Sequence, residues 1–291
     1  MVFQLLAGLE NSILAHQGAF EGLVSDSQNF SVDGYKSRRD VFSQLFSHEI
    51  SVMPSSSQGG APHSNKAKIS GATTLVPLGI NFEQGDIRNL GLSAPLTAAI
   101  QGPGFFLLRE GSQTLVTRAS NWSFNTNGEL IDVAGRQVMG YQFVNGVLDK
   151  STLVPIKIDP TDISQADSGF VDGGIMVSNF QQIQNGAAVE SQPLFQLAMG
   201  EVPNKAALTP ENGTAYSLNR VSGEITFRGV SSEGGLGRVF GTSAESSTVD
   251  PAKLSVRGIQ LQRSYNALQT SLSTVSKFLE TMITTIGKAI G

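Results

Sequence analysis

The last thirty residues constrain this chain more than any other stretch. Leu261, Tyr265, Leu268, Leu272, Val275, Leu279, Met282 and Ile286 recur at alternating spacings of four and three. That is the a/d period of a heptad, which keeps one apolar seam turned toward a partner helix. No proline interrupts the run, and glycine enters only at Gly287 and Gly291. From Ile259 onward the only charges are Arg263, Lys277, Glu280 and Lys288; the rest of the polar face is Gln, Ser, Thr and Asn. A helix solvated on its outer side is usually rich in Lys and Glu. This one is expected to be covered on more than one side.

The opposite end repeats the signal. Leu6, Leu9, Ile13, His16, Phe20 and Leu23 also step by threes and fours, and Glu10 and Glu21 are the only charges before Asp26. The economical expectation is that the two chain ends pair as a coiled coil. The same period would serve two ordinary core helices of one globule; the neutral outer faces favour assembly. A buried seam side chain contributes about 1.5–3 kcal/mol, while each ordered residue costs about 1–2 kcal/mol in backbone entropy. These opposing sums are of one order, so an isolated pair is marginal and is expected to complete its folding against neighbours.

Composition narrows the function classes. Charged residues make up 15% of the chain, against about 25% in an ordinary soluble domain. The net charge of −4 supplies no basic field for nucleic acid or an anionic membrane. There is no cysteine, which excludes disulfides and thiolate metal sites. His16, His48 and His63 lie on separate segments without ligand spacing, and read as core or surface residues. No G-x-S-x-G elbow occurs. Gly102-Pro103-Gly104 lacks the third glycine and the helix of a dinucleotide fingerprint, and reads as a turn leading into a strand. Glu129 with Asp132, and Asp159 with Asp162, read as turn or edge residues, Trp122 as part of a β core, and Arg38 and Arg39 as solvated or as partners of a neighbour's carboxylates. No catalytic residue, cofactor or metal is expected. A secreted enzyme acting on cell-wall polymers is a remote alternative that requires a pocket holding a pKa-shifted acid. No stretch reaches the length of a spanning helix, and the terminal helices lack the Lys/Arg face of membrane-surface binders. Nothing basic precedes Val2–Leu9 and no small-residue cleavage site follows. Export, if it occurs, is therefore expected to use no cleaved leader.

Between the termini the chain changes character. Residues 3–24 are expected to be helical, and Tyr35–Ile50 to form a shorter helix with Val41, Phe42, Leu45 and Phe46 on one face. Met53–Thr74, rich in Pro, Ser and Gly, reads as a flexible arm. From Leu75 to Phe240 the signals are β. Asn127-Gly128, Asn145-Gly146, Asn185-Gly186 and Asn212-Gly213 are hairpin-type turn pairs, and short strands recur at the spacing of an all-β domain. The expected fold is α+β and mostly β: a discontinuous terminal helical coiled coil from residues 1–34 and 251–291, an extended arm over 35–74, and an inserted all-β domain over 75–250.

Several short motifs then fall in a familiar order. Asn29 through Arg39, with Gly34-Tyr35-Lys36 at its centre, resembles the N-terminal signature of bacterial flagellar rod and hook proteins. Ala99-Ile100-Gln101-Gly102-Pro103-Gly104-Phe105-Phe106 resembles the family's A-I-x-G-x-G-F-F. Arg118-Ala119, Phe124, Asn127-Gly128-Glu129-Leu130, Gly135 and Gly140-Tyr141 follow as they do there. Ser247-Thr248-Val249-Asp250 and Gln262-Arg263-Ser264-Tyr265 resemble the S-N-V-D and Q-R-x-Y elements before and at the head of the C-terminal helix. The chain departs from the pattern at Ser25–Gln28, at His16 on the apolar seam, and at Pro251 and Lys253.

The resemblance implies a structural subunit of the flagellar axis rather than an enzyme. In that family the terminal helices line a tube that transmits torque, and the β domain lies outside it. The subunits leave through the flagellar type III export apparatus without a cleaved leader. The implied assembly interface comprises Leu6, Leu9, Ile13, Phe20, Leu23, Asn29, Gly34, Tyr35, Lys36, Arg263, Tyr265, Leu268, Leu272, Val275, Leu279, Met282 and Ile286. The implied partners are copies of itself, other rod or hook subunits and the export apparatus, with outer ring proteins as further candidates and neither nucleic acid nor membrane insertion among them. A basal-body rod protein is the first expectation, since Leu75–Phe240 holds a single β domain, and distal before proximal type, since the Pro/Ser/Gly arm at 53–74 resembles the long loop of that type; a short hook protein is the alternative. The implied location is the basal body, in the periplasm for a rod protein and outside the cell for a hook protein.

Overall fold

The computed structural model describes residues 2–44, 47–51, 66–70, 73–159, 161, 167–186, 190–211 and 214–290; for residues 2–7, 39–79, 183 and 286–290 it describes the backbone alone. The chain is mostly β, with a helix at each end and one large sheet. It divides into two compact units: Met1–Ser27, Arg38–Leu78 and Asp250–Gly291 form the first, and Gln28–Ser37 with Gly79–Val249 form the second.

The first unit contains α1 (Val2–Gln28) and four strands: β1 (Arg38–Gln44), β2 (Ser47–Ser51), β3 (Lys66–Ser70) and β4 (Thr73–Ile80), whose last two residues pass into the second unit. β1 pairs with β4, and β2 pairs antiparallel with β3 from Ser47↔Ser70 to Ser51↔Lys66, so the two pairings are nested. The helix expected over Tyr35–Ile50 is therefore overturned. Val41 and Phe42, two of the residues that suggested one helix face, lie instead in β1, which pairs with a strand some thirty residues on, a tertiary pairing that overrides local pattern; Leu45 and Phe46 lie outside the described residues. Residues 52–65, most of the expected flexible arm, lie outside the described residues, and β3 and β4 occupy much of its end.

In the second unit the strands are β5 (Ile87–Asn89), β6 (Ala98–Gln101), β7 (Phe105–Glu110), β8 (Gln113–Thr117), β9 (Ser123–Phe124), β10 (Leu130–Ile131), β11 (Gln137–Val144), β12 (Val147–Pro155), β13 (Gly169–Val171) and β14 (Ile175–Val177). After the short helix α2 (Phe180–Gln184) come β15 (Pro193–Leu197), β16 (Met199–Glu201), β17 (Thr209–Pro210), β18 (Ala215–Ser217), β19 (Phe227–Gly229), β20 (Arg238–Gly241) and β21 (Ser243–Glu245). The long path of the main sheet runs β13-β14-β15-β11-β7-β8-β18-β17, with β12 also on β11. β6 pairs with β20 and β5 with β21.

β7 explains why this sheet is thick. Its sequence Phe105-Phe106-Leu107-Leu108 is apolar without alternation, the pattern of a strand covered on both faces. Side chains alternate across a strand, so Phe106 and Leu108 join Leu115, Trp122, Leu130, Val138 and Ile156 in one core, while Phe105 and Leu107 join Val116, Met139, Tyr141 and Tyr216 in another. Trp122 stacks edge-on against Phe106 and Phe170, with centroids 5.0 and 5.7 Å away.

The Asn-Gly turns divide by context. Asn145 and Gly146, both at positive φ, close the β11–β12 hairpin at the Val144↔Val147 pair. Asn127-Gly128 closes β9 onto β10. Asn185-Gly186 instead ends α2, because a glycine at positive φ terminates a helix as readily as it turns a hairpin. Asn212-Gly213 lies outside the described residues. Gly102 and Gly104, at φ +100° and +113°, form the turn leading from β6 into β7. Glu129 and Asp132 brace turns: Glu129 accepts from the side chains of Asn125 and Gln137, and Asp132 accepts from the backbone of Ala134 and Arg136. Asp159 accepts from Thr161, and Asp162 is outside the described residues.

The second long helix, α3 (Pro251–Ile290), belongs to the first unit. Asp250 caps it, its Oδ1 accepting from the backbone N–H of Ala252 and Lys253. Pro251 then stands at the first helical position, where its missing N–H costs nothing. Hydrogen bonds from those two amides, that of Lys253 foremost, hold the Asp250 carboxyl below its ordinary pKa. No described helix is long and apolar enough to cross a membrane.

Candidate functional site

Two places in the structure gather the residues singled out by sequence. The first is the helix pair of the first unit. His16 Nδ1 donates to the carbonyl of Ser12 at 2.8 Å, and its Nε2 lies 2.8 Å from Ser264 Oγ on α3. The Phe20 and Tyr265 rings meet edge-on with centroids 6.4 Å apart. Asp26 lies 4.0 Å from Arg257, and Leu23 packs over Gly258. Rising numbers on α1 meet falling numbers on α3, so the helices run antiparallel.

On α3 the heptad positions form the covered line. Leu261 is buried, and Tyr265, Leu268, Leu272, Val275 and Leu279 are half-buried, while Met282 and Arg263 are exposed. On α1, Leu9, Ile13, Phe20 and Leu23 are half-buried, as is Asn29 beyond the helix end. The side chains of Leu6 and Ile286 lie outside the described residues. The most buried line of α1 is one that apolar periodicity did not nominate: Gly8, Ser12, Ala15, Ala19, Gly22 and Asp26, again spaced by four and three. Small side chains do not register as hydrophobic in a sequence scan, yet they admit the closest approach of another element. A search for small residues at heptad spacing would have found them.

The outer faces carry apolar groups in the open: Leu14 and Val24 on α1, and Val256, Ile259, Phe278 and Ile283 on α3. The hydroxyls among them are turned inward. Thr270, Ser271, Thr274, Thr281, Thr284 and Thr285 each donate to the carbonyl four residues earlier. Such back-bonding slightly weakens a helix. It also satisfies the donors internally, so this face can be buried without stranding them.

The second place is a buried ion cluster in the second unit. Lys36 Nζ lies 2.6 Å from Glu245 Oε1 and donates to the carbonyl of Glu83 at 2.8 Å. Arg118 Nη1 lies 3.2 Å from Glu245 Oε2, and its Nη2 donates to the carbonyl of Gly102 at 2.6 Å. The Gly85 N–H donates to Glu245 Oε1 at 2.8 Å. The side chains of Lys36 and Glu245 are 1% and 0% exposed. Burial pushes Lys36 below the ordinary lysine pKa, with Glu245 opposing the shift, and acts on Arg118 in the same direction. Around the cluster the incoming and outgoing chain segments are stitched together: Gly34 N–H to Glu245 O, Thr248 N–H to Tyr35 O, and Ser37 N–H to Thr248 Oγ1.

Gly34, Tyr35 and Lys36 thus lie inside the second unit, locked to Arg118, to the β6–β7 turn and to the Ser247–Val249 segment. Glu245 holds them together. It escaped the sequence reading, although it is the only charge between Arg238 and Asp250. Gly34 is required by geometry. Its φ is +74°, and a Cβ added there would sit 2.4 Å from the backbone N and Cα of Ala119. Left-handed strain of about 1–2 kcal/mol and overpacking of about 1–3 kcal/mol combine in Gly34→Ala. That variant is expected to lose about 2 kcal/mol or more in urea unfolding followed by the fluorescence of Trp122. Among the described residues no group of three or more His, Asp or Glu is placed to hold a metal ion.

Against known proteins, no protein-family profile matches the chain. It is 24% identical over 285 residues to the flagellar basal-body rod protein FlgG of Caulobacter vibrioides, covering 95% of this chain and 97% of that protein. It is 27% identical over 143 residues to the flagellar hook protein FlgE of Treponema pallidum, covering 48% of this chain and 29% of that protein. With the flagellar hook protein FlgE of Rhizobium meliloti the identity is 26% over 228 residues, covering 73% and 56%. The chain thus spans less than two thirds of either hook protein. Low in identity but consistent across several species, these matches support the chain as a divergent member of the flagellar rod and hook protein family.

Proposed function

We propose that this protein is a structural subunit of the flagellar axis, a basal-body rod protein, and of distal rather than proximal type. The observation that carries the reading is the collinear match to a rod protein over nearly the whole of both chains, where the hook proteins align over only part of theirs. The helices α1 and α3 supply a torque-transmitting tube, residues 38–78 an arm, and the second unit an outer β domain. The role is structural and not catalytic. Copies of this chain, neighbouring rod or hook subunits, the export apparatus and outer ring proteins are its partners, and the rod stands in the periplasm.

The terminal helices support this reading. They present a half-buried heptad line toward each other and an outer face of exposed apolar side chains and internally bonded hydroxyls. Sparsely charged surfaces tolerate the differing registers that helically related copies impose, where fixed ion pairs would not. A helix pair completed by its neighbours is expected to gain helicity on polymerisation, and circular dichroism of monomer and polymer measures it. Full terminal helicity in the monomer would contradict assembly-coupled folding.

A short hook protein is the second reading, favoured by hook relatives in several species. Electron microscopy of a deletion strain separates the two. Loss of a rod protein leaves no hook, whereas loss of a hook protein leaves a rod.

A further inference from the structure

The two terminal helices carry opposite charge. α1 holds Glu10, Glu21 and Asp26 and neither Lys nor Arg, whereas α3 holds Lys253, Arg257, Arg263, Lys277 and Lys288 against one acid, Glu280. Within one copy Asp26 meets Arg257, and Lys253 meets Asp250. Glu10, Glu21, Arg263 and Lys277 are exposed, and none of the four holds an ion pair among the described residues. Both sets stand on lines of regular spacing. Glu10, Leu14, Gln17, Glu21 and Val24 recur by fours and threes along α1, and all are exposed. Val256, Ile259, Arg263, Asn266, Thr270 and Lys277 recur by threes, fours and a seven along α3, and all are exposed. Neither line faces the other inside a copy. Gln17 follows His16, which meets Ser264, so its line lies about 100° round α1 from that contact. Arg263 is two residues from the buried Leu261, on nearly the opposite side of α3.

We infer that the outer line of α1 in one copy packs antiparallel against the outer line of α3 in a second copy. Charge chooses the occupant. A second α1 would bring acid to acid, a second α3 facing α3 would bring base to base, and the remaining α-helix is five residues long. One register then satisfies the whole line. With Glu21 against Arg263, Val24 falls on Ile259, Gln17 on Asn266 and Leu14 on Thr270, and Glu10 comes within a turn of Lys277. The acid Glu280 falls opposite the uncharged start of α1. The parallel sense fails, because setting Glu10 against Arg263 drives Val24 onto Lys277 and leaves Val256 and Ile259 uncovered. The favoured register is also that of the inner pair: from Asp26 and Arg257, five steps back along α1 and six forward along α3 reach Glu21 and Arg263. Exposed ion pairs on long side chains are weak singly. They decide which face meets which and speed the encounter, while the neutral side chains between them tolerate small shifts. A contact between two different faces is head-to-tail and repeats from copy to copy. It names the surfaces of the assembly proposed above, on which it rests.

The test exchanges charge between copies of the full chain. Glu10→Lys with Glu21→Lys makes one variant, and Arg263→Glu with Lys277→Glu the other. Each alone is expected to polymerise about tenfold more slowly than the parent, the scale of electrostatic steering. An equal mixture is expected to recover the parent rate by alternating the two, which a contact within one copy cannot produce. Light scattering reads the rate, and circular dichroism reads the helicity of each free chain. If reversal lowers that helicity, Glu10→Gln with Glu21→Gln decides: salt is expected to slow the parent and leave this variant unmoved, and equal salt dependence overturns the contact. Reversal variants that polymerise like the parent, or a mixture no faster than its components, also overturn it and leave the assembly reading standing. Failure of the parent to polymerise overturns both.

Discussion

Glu245→Ala is expected to remove about 3–5 kcal/mol from the stability of the second unit, the cost of breaking a buried ion pair by deleting one partner. A whole domain is typically stable by only about 5–15 kcal/mol, so this single change takes a large part of the margin. The Glu245 carboxylate is the only acid in contact with both Lys36 and Arg118 among the described residues, at 2.6 and 3.2 Å, and it also accepts the Gly85 N–H. Without it, two buried cations keep the carbonyls of Glu83, Ile100 and Gly102 and, for Arg118, the face of the Phe105 ring at 5.3 Å, but no counterion among the described residues. Glu110→Ala is the internal comparison. Glu110 pairs with Arg136 at 3.2 Å, but its side chain is 59% exposed, and a pair screened by solvent is worth about 1 kcal/mol or less. Urea unfolding followed through Trp122, the only tryptophan in the chain, reads both variants. A Glu245→Ala midpoint close to that of Glu110→Ala would mean that the cluster does not hold the unit together.

Leu272→Asp is expected to abolish polymerisation while the second unit stays folded. Leu272 lies at the middle of the half-buried line on α3, in the first unit. A carboxylate there must either stay in water, holding the seam open, or be buried without a partner, which drives its pKa up and costs several kcal/mol. A pairing that is marginal before assembly has no such reserve. Leu272→Met conserves volume and polarity and is expected to polymerise like the parent. Sedimentation and electron microscopy report assembly, and the fluorescence of Trp122 reports the β unit. Filaments of Leu272→Asp would show that assembly does not depend on this seam.

The parts of this architecture that were legible in sequence are those encoded at short range. The heptad spacing from Leu261 onward, the Asp250-Pro251 helix start, the uninterrupted apolar run of β7 and the Asn145-Gly146 hairpin each follow from a few neighbouring residues. Asn185-Gly186 shows the limit of such reading: its local chemistry permits either a hairpin or a helix end, and the chain around it chose the latter. Tyr35–Ile50 was misread for a related reason. Its apolar spacing suits one helix face, but β4 supplies a ladder partner from well down the chain.

The site divides in the same way. Sequence alone determined that both chain ends are sparsely charged helices with heptad spacing, and that Gly34-Tyr35-Lys36 and Arg118-Ala119 are special positions. Only the tertiary structure decided why they are special, because Lys36 and Arg118 meet their counterion across 209 and 127 residues of chain. Periodicity is a property of neighbours along the backbone and survives in a one-dimensional reading. The burial of a charge depends on which distant segments close over it, and no local pattern carries that information.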